Sequence, residues 1–146
     1  MCIRDSPEAA SSWFLPRLIG INKALELCYT GKVISAEEAK EIRLVSEILN
    51  QDKLIDRALE IAKEFTAESS QISIALTRQM MWRMLGADDP MEAHKIDSRA
   101  VFELGQSGEA IEGVTSFLEK RPPSFPGKVS KDMPSFFPWW DEKEFE

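Results

Sequence analysis

Pro7-Glu8-Ala9-Ala10-Ser11-Ser12-Trp13-Phe14-Leu15-Pro16-Arg17-Leu18-Ile19-Gly20 is the most informative stretch of this 146-residue chain. A proline and a carboxylate lead into small residues, and an apolar run follows until Gly20 stops it. Ser11 or Ser12 is placed to cap a helix. The small side chains of residues 9–12 leave backbone N–H groups approachable at the positive end of that helix. Glu8 stands at the mouth of the turn, where a carboxylate is both held and usable. Either it is a favourable charge at a helix N-terminus, contributing about 0.3–1 kcal/mol, or it is an acid/base group.

Composition narrows the class. A hydrophobic content of 43% with 29% charged residues is ordinary for a globular domain, and the length allows one real core. A net charge of −7 without a Lys/Arg block argues against a nucleic-acid surface. No apolar run is long enough to span a bilayer. Met1-Cys2-Ile3-Arg4-Asp5-Ser6 is too short and polar for a signal peptide. It reads as the translated end of a sequencing-library adapter, so the native sequence is expected to begin near Pro7 inside a longer protein. Cys28 then stands alone, which excludes an intrachain disulfide and suits a reducing cytoplasm. His94, the single histidine, has no Cys or His neighbour at a zinc spacing, so no metal site is expected.

Downstream the pattern is almost entirely helical. Asn22 is expected to cap a helix to about Tyr29, closed by a left-handed Gly31. Ser35 and Glu38 form a capping-box pair opening a short helix to about Ile42. Residues 44–49 alternate weakly and predict the one strand. From Asp52 a long amphipathic helix is expected, with Leu54, Ala58, Ile61 and Phe65 on its apolar face. Further helices are expected over about 71–85, 91–104 and 108–120, with Pro122-Pro123 ending the last. The tail after it holds five prolines and the cluster Phe136-Phe137-Pro138-Trp139-Trp140. So many aromatics are not left in water, so the tail reads as a segment strapped over its own domain or a neighbouring subunit.

Four pieces, in order and at matching separations, resemble the crotonase family of enoyl-CoA hydratases and isomerases. They are the opening turn of residues 7–20, the helix, Gly turn and cap of residues 24–39, Leu44-Val45-Ser46-Glu47-Ile48, and Glu112-Gly113-Val114-Thr115-Ser116-Phe117-Leu118-Glu119-Lys120-Arg121-Pro122. Arg43 departs from the pattern, since the family usually has Gly there, and a left-handed non-Gly residue costs about 1 kcal/mol. The resemblance implies a fold that is mostly α with minor β, the C-terminal half of a crotonase α/β spiral. Residues 1–6 would be adapter-derived and 7–49 the end of the spiral core. Residues 50–121 would form the trimerisation helices, and 122–146 the Pro- and aromatic-rich tail. The N-terminal half of a crotonase supplies the oxyanion-hole N–H groups, so a chain without it is expected to be inactive alone. Apolar faces such as Leu54/Ala58/Ile61/Phe65 would then lack partners, giving a helical chain that associates.

The same resemblance carries the activity. Pro7-Glu8-Ala9-Ala10-Ser11-Ser12 is similar to the Pro-Glu-Gly-small-Ser-Ser motif of the enoyl-CoA isomerase branch, whose glutamate is the acid/base. That implies an enzyme that moves a double bond by taking a proton from the carbon alpha to the thioester and returning one further along. Hydratases of the family use two glutamates that would lie upstream of Pro7, so hydration of a 2-enoyl-CoA is the alternative. A non-catalytic helical oligomerisation fragment is the third. Phe117 and Lys120, three apart on a helix, resemble the aromatic and lysine that reach a neighbouring subunit's CoA, by the adenine and a phosphate. On periodicity alone they are equally a core Phe and a solvated Lys. Trp13 and Phe14 would line the acyl pocket or pack in the core, and His94 reads as a surface residue. Acyl-CoA is the substrate, with no separate cofactor implied, and a homotrimer or dimer of trimers is the expected assembly.

Overall fold

The computed structural model describes residues 7–144, which fall into two compact units, Met1–Ile55 and Asp56–Glu146. The adapter assignment of Met1–Ser6 lies outside the described residues. Within the first unit, α1 (Ser11–Ile19) packs against α2 (Ile21–Thr30). Gly20 joins them at φ 79°, a conformation that L side chains rarely adopt.

The entry to α1 differs from the serine cap expected. Ser11 is the first helical residue, and neither serine caps the helix. Instead the chain enters through two successive left-handed residues, Ala9 at φ 52° and Ala10 at φ 55°. The Ala10 carbonyl accepts from Trp13 N–H at 2.9 Å and Phe14 N–H at 3.1 Å, while Ser11 N–H donates to the Glu8 carbonyl at 2.9 Å. Each left-handed L-residue costs about 1–2 kcal/mol. Alanine is the smallest residue with a Cβ that can occupy such a position.

Asn22 is likewise no cap, because Gly20 already occupies the junction. Gly31 ends α2 as expected, in the left-handed region at φ 55°. Ser35 caps α3 (Ala36–Glu41), its side chain accepting from Glu38 N–H at 3.1 Å. The Glu38 carboxylate does not fold back onto the cap but meets Lys32 Nζ at 2.7 Å. At the far end Arg43 sits at φ 62°. Leu44 N–H reaches back to the Ala39 carbonyl at 2.8 Å and Arg43 N–H to Lys40 at 3.0 Å, the double bond of a Schellman motif. Residues 44–50 then form no strand, against the alternation of their sequence. A strand exists only with a neighbour to complete its ladder, and no strand occurs among the described residues.

A short 3-10 turn, Gln51–Lys53, carries Asp52 and leads into α4 (Leu54–Thr66). No α4 residue is buried; Phe65 on its apolar face is 61% exposed. The second unit gets its core from α5 (Gln71–Met84), α6 (Pro90–Gly105) and α7 (Gly108–Glu119), packed α5 on α6 and α6 on α7. Ile72, Leu76, Ile96 and Ala100 are its buried apolar residues. Each of these helices opens on a side-chain cap, from Ser70, Asp89 and Ser107 respectively.

The tail is strapped to this unit by carboxylates. Glu103 on α6 accepts from both Ser135 N–H and Oγ, at 2.7 and 2.9 Å. On α7, Glu109 accepts from Gly127 N–H at 2.7 Å and Glu112 from Ser124 N–H. The aromatic cluster stacks on itself edge to face, and the Arg83 guanidinium of α5 lies 3.3 Å from the Trp140 ring centre. The tail therefore covers its own unit, one of the two expected placements.

Candidate functional site

Glu8 is exposed and immediately precedes the left-handed pair that opens α1. Its position is set by backbone geometry: its own carbonyl is held by Ser11 N–H. Trp13 and Phe14 occupy the first turn of α1, their rings in a T-shaped pair 4.8 Å apart. They are 36% and 41% exposed, so the structure does not bury them in a core. Arg17 stacks its guanidinium 4.1 Å from the Trp13 ring centre and donates to the Trp13 carbonyl at 3.0 Å. Glu8, Trp13 and Phe14 are thus gathered at one helix entry.

Phe117 and Lys120 stand at the other candidate position, the end of α7. Phe117 is 82% exposed and is not part of the core of the described residues. Lys120 is not on a helical face with it, as its spacing had implied. The helix ends at Glu119, and Lys120 turns into the left-handed region at φ 54°. Lys120 N–H reaches the Phe117 carbonyl at 3.3 Å and Arg121 N–H the Ser116 carbonyl at 3.1 Å, a second Schellman closure. The turn is fixed by residues that sequence reasoning passed over. Arg121 forks onto Glu112 at 2.6 and 2.9 Å and onto Glu119 at 2.7 Å. The Arg121 guanidinium, with the Ser124 N–H, holds the Glu112 carboxyl down to about 2. The available signal was opposite charge across the helix end, with a proline directly after the arginine.

His94 is exposed on α6. Among the described residues no three His, Cys, Asp or Glu side chains gather as a metal ligand set, and no helix is long and apolar enough to cross a membrane. Cys28 is an exposed free thiol.

Comparison with known proteins bears on this arrangement. The family model for enoyl-CoA hydratase/isomerase matches residues 5–128. The chain is 42% identical over 119 residues to enoyl-CoA hydratase ACTT3 of Alternaria alternata, covering 81% of this chain and 40% of that protein. It is 29% identical over 128 residues to 1,2-epoxyphenylacetyl-CoA isomerase of Escherichia coli, covering 84% and 46%. Among solved structures it superposes with a TM-score of 0.77 and 31% identity on a probable enoyl-CoA hydratase/isomerase from Mycobacterium abscessus, covering 84% and 48%. The chain spans less than half the length of these relatives. The match runs from just before the Glu8 turn to just beyond the Lys120 turn, so both candidate positions lie inside it. This chain belongs to the enoyl-CoA hydratase/isomerase family.

Proposed function

We propose that the protein containing this chain is an enoyl-CoA isomerase in which Glu8 carries the proton. The observation behind this is the entry to α1, where a carboxylate precedes two left-handed alanines beside exposed aromatic rings. Isomerisation takes a proton from the carbon alpha to the thioester and returns one at the far end of the allyl system. A single carboxylate facing both carbons is enough, provided that N–H donors hold the enolate oxygen. Trp13 and Phe14 would then contact the acyl chain. At the other position, Phe117 would stack near the adenine of CoA and Lys120 would meet a phosphate. Exposed apolar residues such as Val101, Phe102, Ile111 and Val114 support homo-oligomeric assembly, which we take to be trimeric and cytoplasmic.

Hydration is the second reading, because relatives such as the Alternaria protein are named hydratases. Glu8→Gln in the longer protein separates the two. The substitution keeps the size and removes the proton acceptor. General acid–base groups contribute about 10²–10⁴-fold, so turnover of a 3-enoyl-CoA is expected to fall at least about 10²-fold. Binding of CoA esters should be retained, and thermal melting checks the fold. If isomerisation survives within a few-fold while 2-enoyl-CoA is hydrated normally, Glu8 is a helix-end charge and hydration is the activity.

A further inference from the structure

We propose that Arg121 is a positioning residue for the end of α7: by engaging Glu112 and Glu119 it leaves the Lys120 ammonium free to meet a phosphate. The inference rests on the reading of Lys120 given above and adds three side chains to it. Two carboxylates and two adjacent cations crowd this helix end. Arg121 takes both carboxylates. Its Nη1 and Nη2 donate to Glu112 Oε1 and Oε2 at 2.6 and 2.9 Å, and its Nε donates to Glu119 Oε2 at 2.7 Å. Nη1 also donates to the Pro122 carbonyl at 3.1 Å. The ion pairs of the turn thus run through Arg121, and the exposed Lys120 shares in none of them among the described residues.

The chemistry of the two cations fits this division. A planar guanidinium presents donors on two edges, so one arginine serves two carboxylates at once, whereas an ammonium is a compact point charge. Glu112 is further fixed by the Ser124 N–H, and its side chain is only 16% exposed. Carboxylates at a helix C-terminus are unfavourable without a cation beside them. With Arg121 removed, the adjoining cation in the chain is Lys120. Its charge would be drawn into the turn, and an approaching phosphate would meet two uncompensated carboxylates. Lys120 is not needed to close the turn itself. The bonds from Lys120 N–H to the Phe117 carbonyl and from Arg121 N–H to the Ser116 carbonyl are both backbone to backbone.

Calorimetric titration of the longer protein with coenzyme A, and in parallel with pantetheine, which lacks the nucleotide and its phosphates, tests this. Lys120→Ala sets the scale: affinity for coenzyme A should fall roughly tenfold, as for a lost hydrogen bond to a charged group, with pantetheine unaffected. Arg121→Gln should weaken coenzyme A nearly as much, although Lys120 is still present. Adding Glu112→Gln and Glu119→Gln to it should restore most of the affinity. No carboxylate then draws Lys120 in, and the amide oxygen at position 112 still accepts from Ser124 N–H. A merely structural arginine would give no such recovery. Thermal melting checks the fold, and Arg121→Lys, which keeps the charge without the fork, gives the same comparison should Arg121→Gln melt early. Undiminished binding in the Arg121 variant, or no recovery when the carboxylates are removed, overturns the proposal and leaves the reading of Lys120 standing. Unchanged coenzyme A binding in Lys120→Ala overturns both.

Discussion

The ends of α3 and α7 close with the same bonds around the same kind of residue, yet their surroundings differ. Arg43 and Lys120 both occupy the left-handed position that favours glycine, and both lie under paired back-bonds to the last helical turn. After Arg43 the chain runs through residues 44–50 in neither helix nor strand. After Lys120 it is clamped at once: Arg121 forks onto Glu112, Glu112 takes Ser124 N–H, and Glu109 takes Gly127 N–H. A helix stop is therefore a local matter, whereas the direction of the chain beyond it is set by long-range polar contacts. Strained backbone persists where its surroundings over-determine it. At Lys120 those surroundings are visible, and they orient the residue proposed to meet CoA.

The largest break in this contrast is expected from Gly127→Ala. The added methyl meets Glu109 Oε1 and Ile72 Cδ1, and overpacking of this kind costs about 1–3 kcal/mol. Urea unfolding followed by circular dichroism should show the strap side weakened. No loss would mean that the tail shifts freely, and the clamp would then be incidental. A smaller effect of opposite sign is expected from Arg43→Gly and Lys120→Gly. Each relieves a left-handed L-residue and should stabilise the chain by about 1 kcal/mol. Equal gains would show that the strain is local at both ends; a loss at 120 alone would show that the Lys120 side chain contributes to the clamp.

The subtlest effect is in acid. The Glu112 carboxyl is depressed to about 2, chiefly by Arg121, so its contribution is complete above the ordinary carboxylate range. It is lost as pH falls from that range toward about 2. In Glu112→Gln the loss of helicity across that window should be shallower than in the wild type. An unchanged acid profile would assign the acid sensitivity to other carboxylates.

Much of the helical layout was legible because its signals are local. Gly31, Ser35, Ser70, Asp89 and Ser107 mark helix ends through backbone geometry or a single side-chain bond, and each lies at or beside a boundary the sequence implied. The entry to α1 was not, because two alanines in the left-handed region carry no compositional flag, while the neighbouring serines do. The weak alternation of residues 44–49 misled for the opposite reason. Alternation records a face, but a strand also needs a partner, and none is formed among the described residues.

For the candidate site the division is similar. Sequence by itself determined the family through the motifs around Glu8 and Lys120, and determined which residues carry charge and aromatic surface. It also determined the amphipathic face of α4, which the fold leaves exposed. Only the tertiary structure decided that Phe117 is solvent-facing, that Lys120 leaves the helical face, and that Glu103, Glu109 and Glu112 hold the tail. The physical reason is range. Caps and periodicity depend on neighbours within a turn or two, which the sequence places together. Exposure and carboxylate-to-backbone bonds depend on segments that meet only once the chain has folded, such as Gly127 against Glu109 and Ser135 against Glu103.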